Sequence, residues 1–192
     1  PGPALSILPF LSLGILVALA GSLEFVTTKM WSVNAETWGG LARIIAVLVF
    51  GAVIVSAGIG IGRAIASDAT LNRGILLYNN SGDVSQAVGI VASAIRIYPN
   101  SDRAQRAAVE LGILKLRNLT AVSDLKNEES RTLLQTTLSQ TIDHGLKAVS
   151  INSDDYQNWL GLAMLYSNLA GEKVEGAYEN ARAAYSRAQA AN

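Results

Sequence analysis

Two long apolar stretches near the beginning of the sequence restrict its possible folds more than any other feature. Residues 44–62, IIAVLVFGAVIVSAGIGIG, carry no charge between Arg43 and Arg63, and residues 4–23 are also uncharged. A helix rises about 1.5 Å per residue, so roughly twenty residues cross the hydrocarbon core of a bilayer. The sequence therefore predicts two transmembrane helices, at about 4–23 and 44–62, with the lipid bilayer as one partner of the chain.

The first stretch differs from a cleaved signal peptide, in which basic residues precede a shorter apolar region. Trp31 and Trp38 lie between the two stretches, where interfacial aromatic side chains are expected. A buried helical hairpin of a soluble protein is the alternative. Basic residues are equally frequent on the two sides of the second stretch, so the positive-inside rule does not assign the side on which the rest of the chain lies.

Small residues recur every four positions in both stretches. In lipid, such faces allow two helix backbones to approach closely. We therefore expect the two spans to pack on each other or on further helices, although a sequence rich in Gly and Ala also produces this spacing by chance. The residues predicted for this packing are Gly14, Ala18 and Ser22 in the first span and Ala52, Ser56 and Gly60 in the second.

The charge balance downstream of the spans excludes several classes of function. From Arg63 onward there are thirteen basic and thirteen acidic residues, which is not the basic surface of a nucleic-acid-binding protein. The chain has no cysteine and a single histidine, His144, so it lacks a disulfide framework and the usual zinc-binding motifs. We predict no metal site, no cofactor and no catalytic residues.

Apolar residues recur at helical spacing from Ser67 to the end, without the alternation of a strand. The pattern predicts helices at about 67–80, 84–98, 101–119, 130–150, 154–170 and 175–191, with the second span continuing into the first of them. Ser101 and Ser153 are the expected N-caps. The predicted fold is all-α, with a transmembrane hairpin at residues 1–66 and a helical domain at 67–192.

Small and aromatic residues repeat within this helical part. Ala87, Val91 and Ala94 have the same spacing as Ala181, Tyr185 and Ala188, and the segment WLGLAMLY begins at residue 159. These features resemble the tetratricopeptide repeat, W-x2-L-G-x2-Y followed by A-x3-F and P. The resemblance implies an α-solenoid of about three helix pairs. The positions predicted to pack these pairs are Tyr78, Gly82, Ala87, Val91, Ala94, Pro99, Ala148, Trp159, Leu162, Tyr166, Ala181, Tyr185 and Ala188.

A second resemblance covers most of the chain. Asn158-Trp159, Leu162, Tyr166 and the segment KVEGAYENARAAYSRA are similar to the repeat-containing C-terminal region of bacterial polytopic membrane proteins that resemble O-antigen ligases. Lys173 stands where that pattern has glycine. The resemblance implies a bacterial cell-envelope protein, integral to the inner membrane. It supplies no catalytic set, because the connection between the two spans is only about twenty residues long and contains no histidine.

We therefore expect a membrane-anchored tetratricopeptide-repeat scaffold that binds a protein partner or forms a homo-oligomer, not an enzyme. The first alternative is the C-terminal portion of a ligase-like glycan-transfer enzyme whose active site lies upstream. The second is a structural subunit of a surface assembly. If the repeats bind a partner, the first helix of each pair should line the groove. By spacing, the groove residues are Asn72, Leu76, Asn79, Arg103, Arg106, Glu110, Gln157, Leu160 and Met164.

Overall fold

The computed structural model describes residues 38–122 and 127–192, so the first predicted span and its packing residues Gly14, Ala18 and Ser22 lie outside the described residues. The described part contains six α-helices and no strand, which confirms the all-α prediction. The predicted helix boundaries downstream of Ser81 are correct to within three residues. The helices are α1 (Trp38–Ser81), α2 (Val84–Ile97), α3 (Asp102–Val122), α4 (Glu128–Ile151), α5 (Tyr156–Gly171) and α6 (Ala177–Ala190).

Helix α1 contains the second predicted span and continues into the first predicted repeat helix without a break. Within the described residues, it is the one helix long and apolar enough to cross a membrane. Leu48, Phe50 and Val55 are all more than 60% exposed in the protein. A helix that is apolar on every side is suited to lipid and not to water. Of its predicted packing residues, Ala52 and Ser56 are exposed and Gly60 is half-buried.

The chain divides into two compact units between Ile65 and Ala66. The second unit holds the end of α1 and the other five helices. In its first helix pair, the hydroxyl of Ser67 donates to the carbonyl oxygen of Ala94 at 2.9 Å, and Gly74 lies against Val91. As the residue numbers increase along α1, the numbers of the facing residues decrease along α2, so the two helices are antiparallel.

The second pair, α3 and α4, is also antiparallel, because Gly112 faces Thr141 and Val109 faces Gly145. The core of the unit runs through both pairs. One buried cluster contains Leu71, Ala87, Val91, Ala94, Ala104, Ala107 and Leu111. A second cluster joins α3 to α5 and contains Val109, Ile113 and Leu165.

The last pair explains why residues 176–188 carry alanines where an exposed helix would carry charges. Ala177, Ala181, Ala184 and Ala188 are buried and form the face of α6 that packs on α5. Tyr178 and Tyr185 lie on its exposed side. Among all the positions predicted for repeat packing, Ala87, Val91, Ala94, Ala148, Leu162, Ala181 and Ala188 are buried, Tyr78, Trp159 and Tyr166 are half-buried, and Gly82, Pro99 and Tyr185 are exposed.

Polar residues end and begin these helices. The hydroxyl of Ser101 accepts the amide of Ala104 at 3.2 Å, as expected for an N-cap. The predicted cap Ser153 is wrong: Asp155 caps α5 by accepting the amide of Gln157 at 2.9 Å, whereas the hydroxyl of Ser153 donates to Asp154. Gly82 has a φ of 68° and turns the chain from α1 into α2, a conformation that glycine adopts without steric cost.

Candidate functional site

The predicted groove residues lie on α1, α3 and α5, the first helices of the three pairs. Eight of the nine are exposed, and Arg106 is half-buried. The structure brings two of these residues into contact with a neighbouring first helix. Arg103 on α3 lies 3.6 Å from the carboxylate of Asp68 on α1, and Arg106 on α3 reaches α5. Helix α3 therefore lies between the two other first helices.

Helices α3 and α5 run in the same direction. Arg106, near the start of α3, contacts Asn158 near the start of α5, and Arg117 near the end of α3 contacts Asn168 near the end of α5. The guanidinium of Arg117 donates to the side-chain oxygen of Asn168 at 2.8 Å. Two polar contacts, one at each end, thus fix the register of this helix pair.

The contact at the beginning of α5 is a partly buried polar cluster, which we name the Asn158 cluster. One nitrogen of Arg106, Nη1, donates to the Oδ1 of Asn158 at 2.7 Å and to the Oδ2 of Asp155 at 2.8 Å. The side-chain nitrogen of Asn158 donates to the carbonyl oxygen of Asn152 at 2.9 Å and to the carboxylate of Asp102 at 3.2 Å. Asn158 is only 1% exposed. These residues therefore connect the ends of α3, α4 and α5.

Burial raises the pKa of the Asp155 carboxyl, but three effects outweigh it and leave this pKa below its ordinary value. They are the hydrogen bond from the Gln157 amide, the hydrogen bond from Arg106 and the positive charge of Arg106. Asp155 is therefore an anion at neutral pH, and its charge is used by the helix N-terminus and by Arg106. This is a structural role for both charged groups, and it removes Arg106 from the freely exposed part of the predicted groove.

An apolar row continues along α5 from this cluster. Tyr156, Leu160 and Met164 are four residues apart and are 38%, 36% and 47% exposed. Residues at this spacing share one face of a helix. Beside this row, Trp159 donates from Nε1 to the carbonyl oxygen of Ser153 at 2.7 Å, and the Arg187 guanidinium lies 6.0 Å from its ring centroid.

His144 is the one histidine of the sequence and could act as an acid, a base or a metal ligand. Its surroundings are those of a structural histidine. Its Nδ1 lies 2.7 Å from the Oε1 of Gln105, and the Nε2 of Gln105 donates to the carbonyl oxygen of Pro99 at 3.1 Å. Because Oε1 can only accept, His144 donates from Nδ1. Burial lowers the pKa of His144, against the opposing charge of Asp143. The imidazole is therefore neutral at neutral pH.

Residues that could carry chemistry do not converge in the part of the chain that the structure describes. Over residues 38–122 and 127–192, no three His, Asp or Glu side chains are grouped so as to hold a metal ion. In the same ranges every buried side-chain nitrogen and oxygen has a hydrogen-bond partner. The polar groups of these helices thus satisfy one another.

No protein-family model matches this chain, and no curated protein matches it. Sequence spacing missed the cluster around Asn158. The available signal was an acidic residue three positions before an asparagine at the start of a helix, which is a pattern that also occurs at ordinary capped helices.

Proposed function

We propose that the chain is a membrane-anchored helical-repeat scaffold that binds a protein partner, or a second copy of itself, through the exposed side of α1, α3 and α5. We name this side the partner surface. It comprises Asn72, Leu76, Asn79, Arg103, Glu110, Gln157, Leu160 and Met164. Arg106 belongs to the polar cluster that joins α3 to α5.

The observation that carries this proposal is the apolar row on α5. Leu160 and Met164, together with Tyr156, are exposed on a helix whose other faces pack well, since Leu162 and Leu165 on the same helix are buried. Exposed apolar side chains grouped on a rigid helix are typical of protein-binding sites, where one or two anchors supply most of the affinity. Leu76 on α1, 59% exposed, is an apolar residue of the same kind.

The arrangement of the helices supports the finer proposal of a tetratricopeptide-like solenoid. Such a solenoid requires antiparallel pairs whose first helices run parallel to each other. The contacts of Ser67 with Ala94 and of Gly112 with Thr141 agree with the first requirement, and those of Arg106 and Arg117 with α5 agree with the second. A row of first helices presents a continuous surface to a peptide or a partner helix.

The apolar length of α1 supports attachment to a membrane. The proposal includes the first predicted span at residues 4–23, which its uncharged apolar length supports, and a location in a bacterial inner membrane, which the sequence resemblance supports. Lipid anchoring would confine the chain to the membrane and raise the local concentration of any partner that is itself membrane-bound.

The test is co-purification of the tagged full chain from its native membranes, with wild type compared to a Leu160→Asp, Met164→Asp double variant. We expect a stoichiometric protein, or a second copy of the chain, to accompany wild type and to be lost from the double variant. Tyr178→Asp, which introduces a carboxylate at an exposed residue of α6, is the control and should retain the partner. Equal recovery with all three proteins would refute the proposal.

A further inference from the structure

A cavity of about 280 Å³ lies between α3, α4 and α5 in the second unit. Its wall is mainly aliphatic and includes Leu116 from α3, Leu134 and Leu138 from α4, and Leu165 from α5. Protein interiors leave few gaps larger than a water molecule, and this one is partly open to solvent, so an apolar ligand can enter it. The cavity is thus a place where a hydrocarbon group can be taken out of water.

The volume sets the size of that group. An engineered apolar cavity of about 150 Å³ accepts benzene, which has six carbons, so a cavity of about 280 Å³ accommodates roughly twice that hydrocarbon volume. An unbranched chain of about eight to ten carbons is therefore a suitable occupant. A chain of this length is well below the size of a phospholipid with two acyl chains.

One cation stands at the polar end of this cavity. Arg117 is exposed, lines the cavity and donates from Nη2 to the Oδ1 of Asn168. The amide of Asn168 is held in this orientation because its Nδ2 donates to the carbonyl oxygen of Met164 at 2.6 Å. Arg117 thus contacts a neutral acceptor, whereas Arg103 and Arg106 contact the carboxylates of Asp68 and Asp155.

A guanidinium has five N–H groups arranged to hold two oxygens of a carboxylate. The Asn168 bond uses one of them. An oriented guanidinium at the mouth of an apolar cavity is complementary to a carboxylate that ends a hydrocarbon chain. Glu172 also lines the cavity, and its negative charge opposes the binding of an anion there.

We propose that this cavity binds a single-chain fatty carboxylate of about ten carbons, with the alkyl chain between α3, α4 and α5 and the carboxylate on Arg117. The site shares no residue with the partner surface and extends the role of the chain beyond partner binding. A bound alkyl chain would fill space between helices of successive pairs. It would also place an anion beside the contact of Arg117 with Asn168.

The absence of cysteine from the chain allows a direct test. The full chain carrying Leu138→Cys is placed in lipid nanodiscs, which avoids competition from detergent, and its alkylation by a maleimide is timed with and without decanoate. We expect decanoate to slow alkylation at least fivefold. Ser139→Cys, at the next and exposed position of α4, is the matched control and should react at an unchanged rate. Thr120→Cys, on α3, repeats the measurement should the first variant fold poorly.

The head group is tested in the same background. Arg117→Gln should raise the decanoate concentration for half-protection about tenfold, and Glu172→Gln should lower it. Decanol should protect more weakly than decanoate. No protection by decanoate at either cavity cysteine would overturn the proposal. Equal protection by decanol, insensitive to Arg117→Gln, would overturn the assignment of the carboxylate to Arg117.

Discussion

Arg106 on α3 donates a 2.7 Å hydrogen bond to the side-chain oxygen of Asn158 on α5, 52 positions further along the chain. Asn158 is buried, and its amide nitrogen donates to the last turn of α4 and to the carbonyl oxygen of Asn152. A single side chain thus holds three helix ends in one register. Partners of this kind must be present together, because a buried polar group without a partner costs more than its bond contributes.

Asn158→Ala should therefore lower the free energy of unfolding by about 2–3 kcal/mol, because the variant leaves buried donors and acceptors without partners. Thermal unfolding of the purified chain, followed by far-ultraviolet circular dichroism, measures the change. Asn180→Ala, at an exposed position of α6, should alter stability by less than about 0.5 kcal/mol. A similar loss in both variants would contradict the role given to Asn158.

Among the residues that the structure describes, Lys173 is the non-glycine residue with a left-handed backbone conformation, at a φ of 61°. Replacement by glycine removes the clash between Cβ and the backbone that disfavours this conformation, so Lys173→Gly should stabilise the protein by about 1 kcal/mol. Lys147→Gly, in the interior of α4, should instead destabilise it by about 1 kcal/mol. Urea unfolding should therefore show a gain in the free energy of unfolding for Lys173→Gly and a loss for Lys147→Gly. A loss for both variants would show that the backbone at Lys173 is not strained.

Gly112 allows α3 and α4 to approach each other. A Cβ added at this position would lie 2.7 Å from the Cγ2 of Thr141, whose hydroxyl is held by the carbonyl oxygen of Thr137. Gly112→Ala should cost about 1–3 kcal/mol of stability, and adding Thr141→Ala should restore part of it. Gly89→Ala, on α2 with open space around it, should raise stability by up to about 1 kcal/mol.

The double variant decides how the Gly112 result is interpreted. If the contact with Thr141 is the cause, the losses of Gly112→Ala and Thr141→Ala will not add. Additive losses would contradict the close approach of the two helices at this position.

His144 should make stability depend on pH near neutrality. Burial lowers the pKa of His144, so the unfolded chain binds a proton at a higher pH than the folded chain does. The contribution of His144 to the free energy of unfolding should therefore be complete above the ordinary histidine pKa of about 6.5 and should decrease as the pH drops through that value. It is the single histidine of the sequence. His144→Gln should weaken the dependence of the unfolding midpoint on pH between about pH 7.5 and about pH 5.5. An unchanged dependence on pH would count against burial of the imidazole.

The helices could be predicted from the sequence because their signal is local. Apolar periodicity and turn residues placed the five helices after Gly82 to within three residues, and the alanines of α6 indicated a buried face before any packing was known.

The polar contacts could not be predicted, because they join residues far apart in the chain. Arg106 had the spacing of an exposed groove residue, yet Asp155 and Asn158, 49 and 52 positions away, cover its guanidinium. Spacing identifies the face of a helix on which a residue lies, but not the helix that packs against that face. The cavity could not be predicted for the same reason. Its leucines come from three helices, and each has the spacing of an ordinary core residue.

Site-specific photocrosslinking in native membranes tests most directly whether the partner surface binds a protein. A benzophenone amino acid is placed singly at Leu76 and Leu160, which belong to the partner surface, and at Arg182, an exposed residue of α6. We expect one discrete adduct, either with a partner of defined mass or with a second copy of the chain, from the first two positions and none from Arg182. Absence of any adduct from Leu76 and Leu160, or equal adducts from all three positions, would contradict the proposal that this surface binds a protein.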